Sequence, residues 1–206
     1  MRTPVLASVV AVAVLLSGCG GPSAPSASPT PSASVTASPT PTPTPTPTPA
    51  ALVIPECETL VPLAVAQDAF GASTVFFGEL SAADYSFRID VPGASAALTG
   101  AANYRGCSWG VPNSDGSFSQ AVATLTPSVR ASLESSLLAA GFAQYTVDTV
   151  SSFQLEYEDF VSTVGATYVF TGDVVIITEG TGIALTETIG SSAYGALIVA
   201  NPTLPL

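Results

Sequence analysis

One serine of the chain has the local sequence of a catalytic nucleophile. Ser108 lies two residues from a glycine on each side, in Gly106-Cys107-Ser108-Trp109-Gly110, and this spacing allows a serine to sit on a sharp turn between a strand and a helix. Such a serine needs a base to take its proton, normally a histidine or a lysine. The chain contains neither residue type, and a turn sequence at 113–116 follows where a helix would be needed. We therefore predict that Ser108 is not catalytic.

Carboxylates offer a second kind of chemistry. The chain has 15 Asp and Glu residues, and Glu156, Glu158 and Asp159 form a local cluster. Oxygen ligands suit hard cations such as Ca²⁺, and two facing carboxylates suit glycoside hydrolysis. The cluster lacks the spacing of an EF-hand, and the Asn-Ser-Asp-Gly turn at 113–116 lacks the distal glutamate. We expect solvated surface charge, with no metal and no cofactor. A catalytic carboxylate pair stays open as the alternative.

The few arginines and the single tryptophan are rarer in this chain than its acids. Arg88 and Arg105 are expected to form ion pairs with neighbouring carboxylates, and a clamp for a ligand carboxylate is the alternative. Trp109 is expected in the core, packed against a cysteine bridge. Its alternative role is an aromatic platform for a sugar.

The charge balance limits the possible partners. Four arginines against 15 acids give a net charge of −11. Nucleic-acid binding requires a patch of Lys and Arg, and anionic lipid headgroups also attract basic residues. We therefore predict no nucleic-acid partner and no electrostatic docking on lipid. Cationic partners remain compatible with this charge.

The N-terminus has the organisation of an export signal. A charged start at Met1-Arg2 precedes an apolar run from Val5 to Leu16. Leu16-Ser17-Gly18-Cys19 resembles the lipobox of bacterial lipoproteins. This resemblance implies removal of a signal peptide at 1–18 and a diacylglycerol on the Cys19 sulfur, which would anchor the protein in the cell membrane on its extracytoplasmic face. A plain secretory signal or a transmembrane helix is the alternative, although the run is shorter than the ~20 residues that a spanning helix needs.

The composition changes sharply after this segment. Residues 19–50 are almost entirely Gly, Pro, Ser, Ala and Thr and end in a Thr-Pro repeat. Such a segment cannot bury enough apolar surface to fold, and its prolines favour extended polyproline II. We predict a disordered stalk over 19–50, which could carry O-glycans or act as an SH3-type ligand. Residues 51–206 are long enough for a single domain with its own core.

Two cysteines remain once Cys19 is assigned to lipid. Cys57 and Cys107 both follow the signal, and extracytoplasmic compartments permit disulfides. Neither a C-x-x-C redox motif nor the spacing of a zinc site is present. We predict a Cys57–Cys107 disulfide, and two free buried thiols are the alternative.

The hydrophobic patterns of 51–206 predict an α+β domain. We expect an antiparallel sheet of two or more hairpins, with about three helices packed on one face. The clearest helix starts with Thr126 as its N-cap and stops at Gly141. Cys57 of the first helix would join the helical layer to a central strand at Cys107. The predicted helices lie at 57–70, with a start or a kink at Pro62, at 127–140 and at 183–200. The predicted strands lie at 74–77, 87–91, 105–111, 118–126, 166–170 and 174–178, one or both of 142–150 and 152–157 are extended, and 93–102 is a loop or a weak helix.

Several motifs together resemble one group of proteins. They are the lipobox, the Pro-rich stalk, Cys57-Glu58-Thr59-Leu60-Val61-Pro62 and Cys107-Ser108-Trp109, and they resemble small disulfide-containing cell-envelope lipoproteins of high-GC Gram-positive bacteria. That group is largely uncharacterised, so the resemblance implies a location and no activity. We predict a non-catalytic binding or protein-interaction domain, tethered outside the membrane, whose partner is an envelope protein or a small ligand. The alternative is a cell-envelope hydrolase that uses a carboxylate pair.

Substitution of Cys19 tests the lipid anchor. A Cys19→Ala variant lacks the sulfur that would carry diacylglycerol, so we expect it in the soluble fraction or as an uncleaved precursor. Cell fractionation and mass spectrometry of the recovered chain measure this outcome. A Cys19→Ala protein that is still processed and still in the membrane fraction would show that the anchor is elsewhere.

Overall fold

The structure, a computed structural model, describes residues 51–160 and 162–206. The predicted signal peptide 1–18, the predicted lipidation residue Cys19 and the predicted stalk 19–50 lie outside the described residues. Within them the chain forms seven strands and five helices. The strands are β1 (Val75–Leu80), β2 (Tyr104–Gly110), β3 (Ser117–Thr124), β4 (Ala143–Val147), β5 (Val150–Glu158), β6 (Thr163–Thr171) and β7 (Val174–Gly180), and the helices are α1 (Cys57–Leu60), α2 (Leu63–Phe70), α3 (Ala94–Thr99), α4 (Pro127–Ala139) and α5 (Ile183–Ala200).

All seven strands belong to one antiparallel sheet with the order β1-β2-β3-β7-β6-β5-β4. The order shows two meanders. In the first, β1, β2 and β3 pair with their neighbours along the chain, and in the second β4 to β7 do the same. Helix α4 carries the chain from β3 to the far edge of the sheet, and the second meander then returns until β7 pairs with β3. The predicted α+β class with antiparallel hairpins is confirmed, and the sheet is larger than two hairpins.

Helices cover both faces of the sheet, which corrects the prediction that they pack on one face. On the first face α1, α2 and α5 pack on a core that contains Trp109 and Ile176. On the second face α3, α4 and the segment 81–93 pack on a core that contains Phe153 and Ile177. The reason lies in the central strand β7, which is buried along its whole length. Because it is apolar on both sides, each face of the sheet needs a cover.

Local sequence signals set the helix boundaries. The side-chain oxygen of Thr126 accepts a hydrogen bond from the Val129 backbone N–H, so Thr126 is the N-cap of α4 as predicted, and Pro127 takes the first helical position. Pro62 separates α1 from α2. The interruption that Pro62 predicts within 57–70 is thus present, because its ring cannot continue a helix without a break.

One predicted strand is absent. The alternating residues of 87–91 lie in an irregular segment, 81–93, that crosses the second face of the sheet. Ile89 and Val91 are buried there, and their backbone pairs with no strand. Alternation of apolar residues therefore reflects burial of one side of this segment rather than a place in the sheet. The segment 93–102, predicted as a loop or weak helix, contains α3.

Helix α5 is apolar enough, with a mean hydropathy of 1.3 over 18 residues, to meet the length and composition of a membrane span. A helix in a protein core meets the same criterion. The residues Leu185, Ile189, Ala193 and Leu197 recur every four positions and are buried against the sheet. The apolar residues on this side of α5 therefore pack against the sheet.

The structure contains the expected Cys57–Cys107 disulfide, with 5.7 Å between the two Cα atoms. The bond joins α1 to β2. This strand was predicted to be central, but it lies next to the edge of the sheet. Both cysteines are buried, and Trp109 of the same strand lies in the same core, stacked on Phe118. The predicted core position of Trp109 is confirmed.

Removal of this disulfide tests its contribution to stability. A Cys57→Ala/Cys107→Ala variant should lose about 4 kcal/mol of unfolding free energy, because the bond closes a loop of 50 residues in the unfolded chain. Urea unfolding of both proteins in the absence of reductant measures the difference. Dithiothreitol should destabilise the natural protein by a similar amount and leave the variant unchanged. Equal stability of the natural protein and the variant without reductant would contradict this role.

Candidate functional site

A groove at one end of the sheet combines aromatic and polar side chains. It lies between the β4–β5 hairpin and α5 and has a volume of about 660 Å³, within the range of small-molecule sites. We call it the tyrosine groove, after Tyr145 of β4 and Tyr194 of α5. The other residues that line it are Val150, Ser152, Gln154, Thr167, Val169, Glu187, Gly190 and Ser191.

The groove exists because α5 covers only part of the sheet. The helix packs across β6 and β7 and reaches only the side of β5. Strand β4 is exposed at every residue, and Tyr145 has 55% of its surface exposed. The first face of β4 and β5 therefore forms one wall, and the side of α5 forms the other.

One hydrogen bond joins side chains that line the two walls. Gln154 Nε2 of β5 donates to Glu187 Oε1 of α5 over 2.7 Å. No arginine lines the groove, and Glu187 forms no ion pair within the described residues. The groove thus carries one carboxylate that no positive side chain of the described part of the chain balances.

A second large cavity is lined by residues of the cores on both faces and is more apolar. It has a volume of about 690 Å³ and lies between α3, the start of α4 and the segment 204–206. Asp173 is the single acidic side chain among its lining residues, and apolar side chains such as Leu125, Val129 and Leu204 dominate the rest. It therefore offers shape and apolar surface with few polar groups to orient a ligand.

A buried carboxylate lies on the second face of the sheet. Glu179 of β7 has an exposed fraction of 0%. It accepts hydrogen bonds from two backbone N–H groups of the segment 81–93, Arg88 at 2.9 Å and Ile89 at 3.4 Å. Burial raises the pKa of Glu179 from 4.5 to about 7, and the two N–H groups oppose that shift. The pKa values of Tyr85 and Tyr168 are also raised well above 10. Burial is the largest cause, and the charge of Glu179 is the second.

Glu179 holds the segment 81–93 against the sheet. Two further contacts add to its hydrogen bonds: the Arg88 guanidinium donates to the Ser117 carbonyl oxygen at 2.8 Å, and the Tyr157 hydroxyl donates to the Arg88 carbonyl oxygen at 3.3 Å. The carboxylate is thus covered by the segment that it binds. This position separates it from any ligand in either large cavity.

The sequence-predicted candidates are scattered. Ser108 lies in the middle of β2, opposite Ser119, and not on a turn. Arg105 forms the expected ion pairs, with Glu56 at 2.7 Å and with Glu79. Arg88 binds Ser117 in place of the expected carboxylate.

The carboxylates of the 156–159 cluster have separate local partners. Glu156 accepts from the Ile183 backbone N–H at the start of α5, Glu158 from the Thr163 hydroxyl, and Asp159 from the Phe160 backbone N–H. Among the described residues no group of acids, cysteines or histidines is arranged to hold a metal ion. The sequence cluster is thus a set of caps and turn contacts.

Sequence reasoning missed the groove and Glu179. Tyr145 and Gln154 belong to the β4–β5 hairpin and Glu187 and Tyr194 to α5. These two pairs lie far apart along the chain, and only the packing of α5 beside β5 brings them together. Glu179 did carry a signal, because it follows the apolar run 174–177 on a strand and has the same parity as the buried Ile177.

No family model, curated protein or solved structure matches this chain. The fold and the groove described above are therefore the basis for any assignment of function.

The buried glutamate predicts a pH dependence of stability. Its pKa is higher in the folded protein than in the unfolded chain, so folding favours the protonated form. The stability from this group is fully present below about pH 4.5 and is lost as the pH rises through about 7. Glu179→Gln keeps an acceptor oxygen and cannot ionise, so the variant should gain about 3 kcal/mol relative to the natural protein across this range.

Urea unfolding of both proteins at a series of pH values measures that divergence. Glu58→Gln removes an exposed carboxylate and serves as the control, whose stability should run parallel to that of the natural protein. Parallel curves for Glu179→Gln would show that Glu179 does not titrate in this range.

Proposed function

We propose that this chain is a non-catalytic binding domain, tethered to the extracytoplasmic face of the membrane, and that the tyrosine groove is its binding site. The observation that supports the site is the joint presence of two partly exposed tyrosines and several hydrogen-bonding side chains in one open cavity. Ligand sites generally combine apolar or aromatic walls with a few polar groups that fix orientation. Among the cavities described, the tyrosine groove has this combination.

The tether is supported by the sequence alone. The lipobox at 16–19 and the Pro-rich stretch up to residue 50 agree with a lipid anchor followed by a spacer. The resemblance to envelope lipoproteins of high-GC Gram-positive bacteria belongs to the same proposal. A tether of this kind suits a domain that meets its ligand or partner within the cell envelope.

A hydrolase with a carboxylate pair is the alternative proposal. That chemistry requires two acids on opposite sides of a substrate bond, about 5–10 Å apart. The two large cavities have one acidic lining side chain each, Glu187 and Asp173. Glu179 has the raised pKa of a general acid, but the segment 81–93 covers it. Binding without chemistry therefore has the stronger support.

Substitution of both groove tyrosines tests the proposed function. An envelope extract of the producing cells is passed over the immobilised full chain, and the retained molecules are quantified by mass spectrometry. We expect Tyr145→Ala/Tyr194→Ala to lose about tenfold or more of the specific retention, because each ring is a large part of the groove surface. The retained molecule should be recovered chemically unchanged.

Phe160→Ala provides a matched control. Phe160 is a fully exposed aromatic residue outside the groove, so its removal should leave retention unchanged. Equal retention by the tyrosine variant and the control would exclude the groove as the site. Recovery of a cleaved molecule would favour the hydrolase.

A further inference from the structure

The tyrosine groove has a chemical preference that extends the proposed function. We infer that its ligand carries an organic ammonium group, with the Glu187 carboxylate as charge partner and the rings of Tyr145 and Tyr194 as aromatic contacts. The inference rests on the proposed function because it concerns the same groove. It adds the class of ligand.

The charge of the groove supports a cation. One oxygen of Glu187 accepts from Gln154, and its other oxygen, Oε2, has no hydrogen-bond donor among the described residues. Among the residues that the structure describes, no arginine lines either large cavity, and the chain has no lysine or histidine. The net charge of −11 further raises the local concentration of cations and repels anions.

The aromatic walls support an organic cation over a metal ion. The face of a tyrosine ring attracts an ammonium group by about 0.5–2 kcal/mol, and here tyrosines stand on both walls of the groove. A hard metal ion would need several oxygen ligands from the protein, whereas the groove offers one carboxylate. An alkylated ammonium group makes little demand for hydrogen bonds and suits a site with two rings and one charge.

The size of the groove also permits a larger molecule. Its volume of about 660 Å³ exceeds that of an ammonium head group, so the uncharged part of the ligand has room beside it. Ser152 and Ser191 lie on opposite walls and offer hydroxyls to that part. A neutral sugar would use the same hydroxyls but would leave Glu187 without a counter-charge, and we therefore favour the cation.

A pair of probes separates charge from shape. Choline and its neutral isostere, in which carbon replaces nitrogen, are titrated into the full chain in a maltoside detergent, and calorimetry measures both affinities. We expect choline to bind about tenfold or more tightly than the isostere. Added salt should weaken choline binding, because Glu187 is exposed to solvent.

Variants of the groove test the assigned residues. Glu187→Gln should weaken choline about fivefold, while Glu58→Gln removes the same charge far from the groove and should stay within about twofold. Tyr194→Phe keeps a ring and should also stay within about twofold, while Tyr194→Leu should lose about fivefold.

Three results would overturn the inference. They are equal binding of choline and its isostere, equal loss in Glu187→Gln and Glu58→Gln, and no binding of choline at millimolar concentration. Each of them leaves the proposed function to the envelope-extract experiment, which reads retention by the groove without assuming a ligand. Retention there of a neutral sugar would keep the groove as a binding site and exclude the cation.

Discussion

The pairing of β3 with β7 is the interaction on which the rest of the domain depends. Among the described strands it is the only ladder that joins the two meanders, and it runs from Ser119 opposite Glu179 to Thr124 opposite Val174. The two strands are separated by the crossover helix α4 and by three further strands, so this pairing requires closure of a long loop. Once it forms, β7 lies in the middle of the sheet with apolar residues on both sides. The burial of that strand makes covers on both faces necessary, and the helices supply them.

Glu179 lies at the end of that ladder, and its burial in the centre of the sheet is unfavourable. A carboxylate on a central strand loses its hydration, and the two backbone N–H groups from the segment 81–93 restore only part of it, because the pKa still rises to about 7. The same hydrogen bonds help to fix a segment whose backbone joins no strand ladder. A glutamine at 179 would remove the cost and keep an acceptor. Attachment of the segment through a carboxylate thus lowers stability as the pH rises through about 7.

Structural features were predicted correctly from the sequence where they depend on residues that are neighbours along the chain. Thr126 and Pro127 define the start of α4, and the turn after Thr171 defines the β6–β7 hairpin, because capping and turn geometry involve only neighbouring residues. The placement of helices on two faces was missed, although the uninterrupted apolar run at 174–177 indicates a strand buried on both sides. The segment 87–91 was wrongly predicted as a strand, because alternation shows which side is buried and not whether the backbone pairs. The groove residues have no local signature, since those of the β4–β5 hairpin meet those of α5 only in the folded domain.

The contacts that stabilise the domain and the proposed binding groove lie at different edges of the sheet. The disulfide, Trp109 and the β3–β7 ladder lie in or beside the first meander, whereas the groove lies at the opposite edge, on β4, β5 and the side of α5. Strand β4 contains no charged residue and no proline, which are the usual protections of an exposed edge. Its exposed tyrosine in place of such protection agrees with a surface that is covered by a ligand.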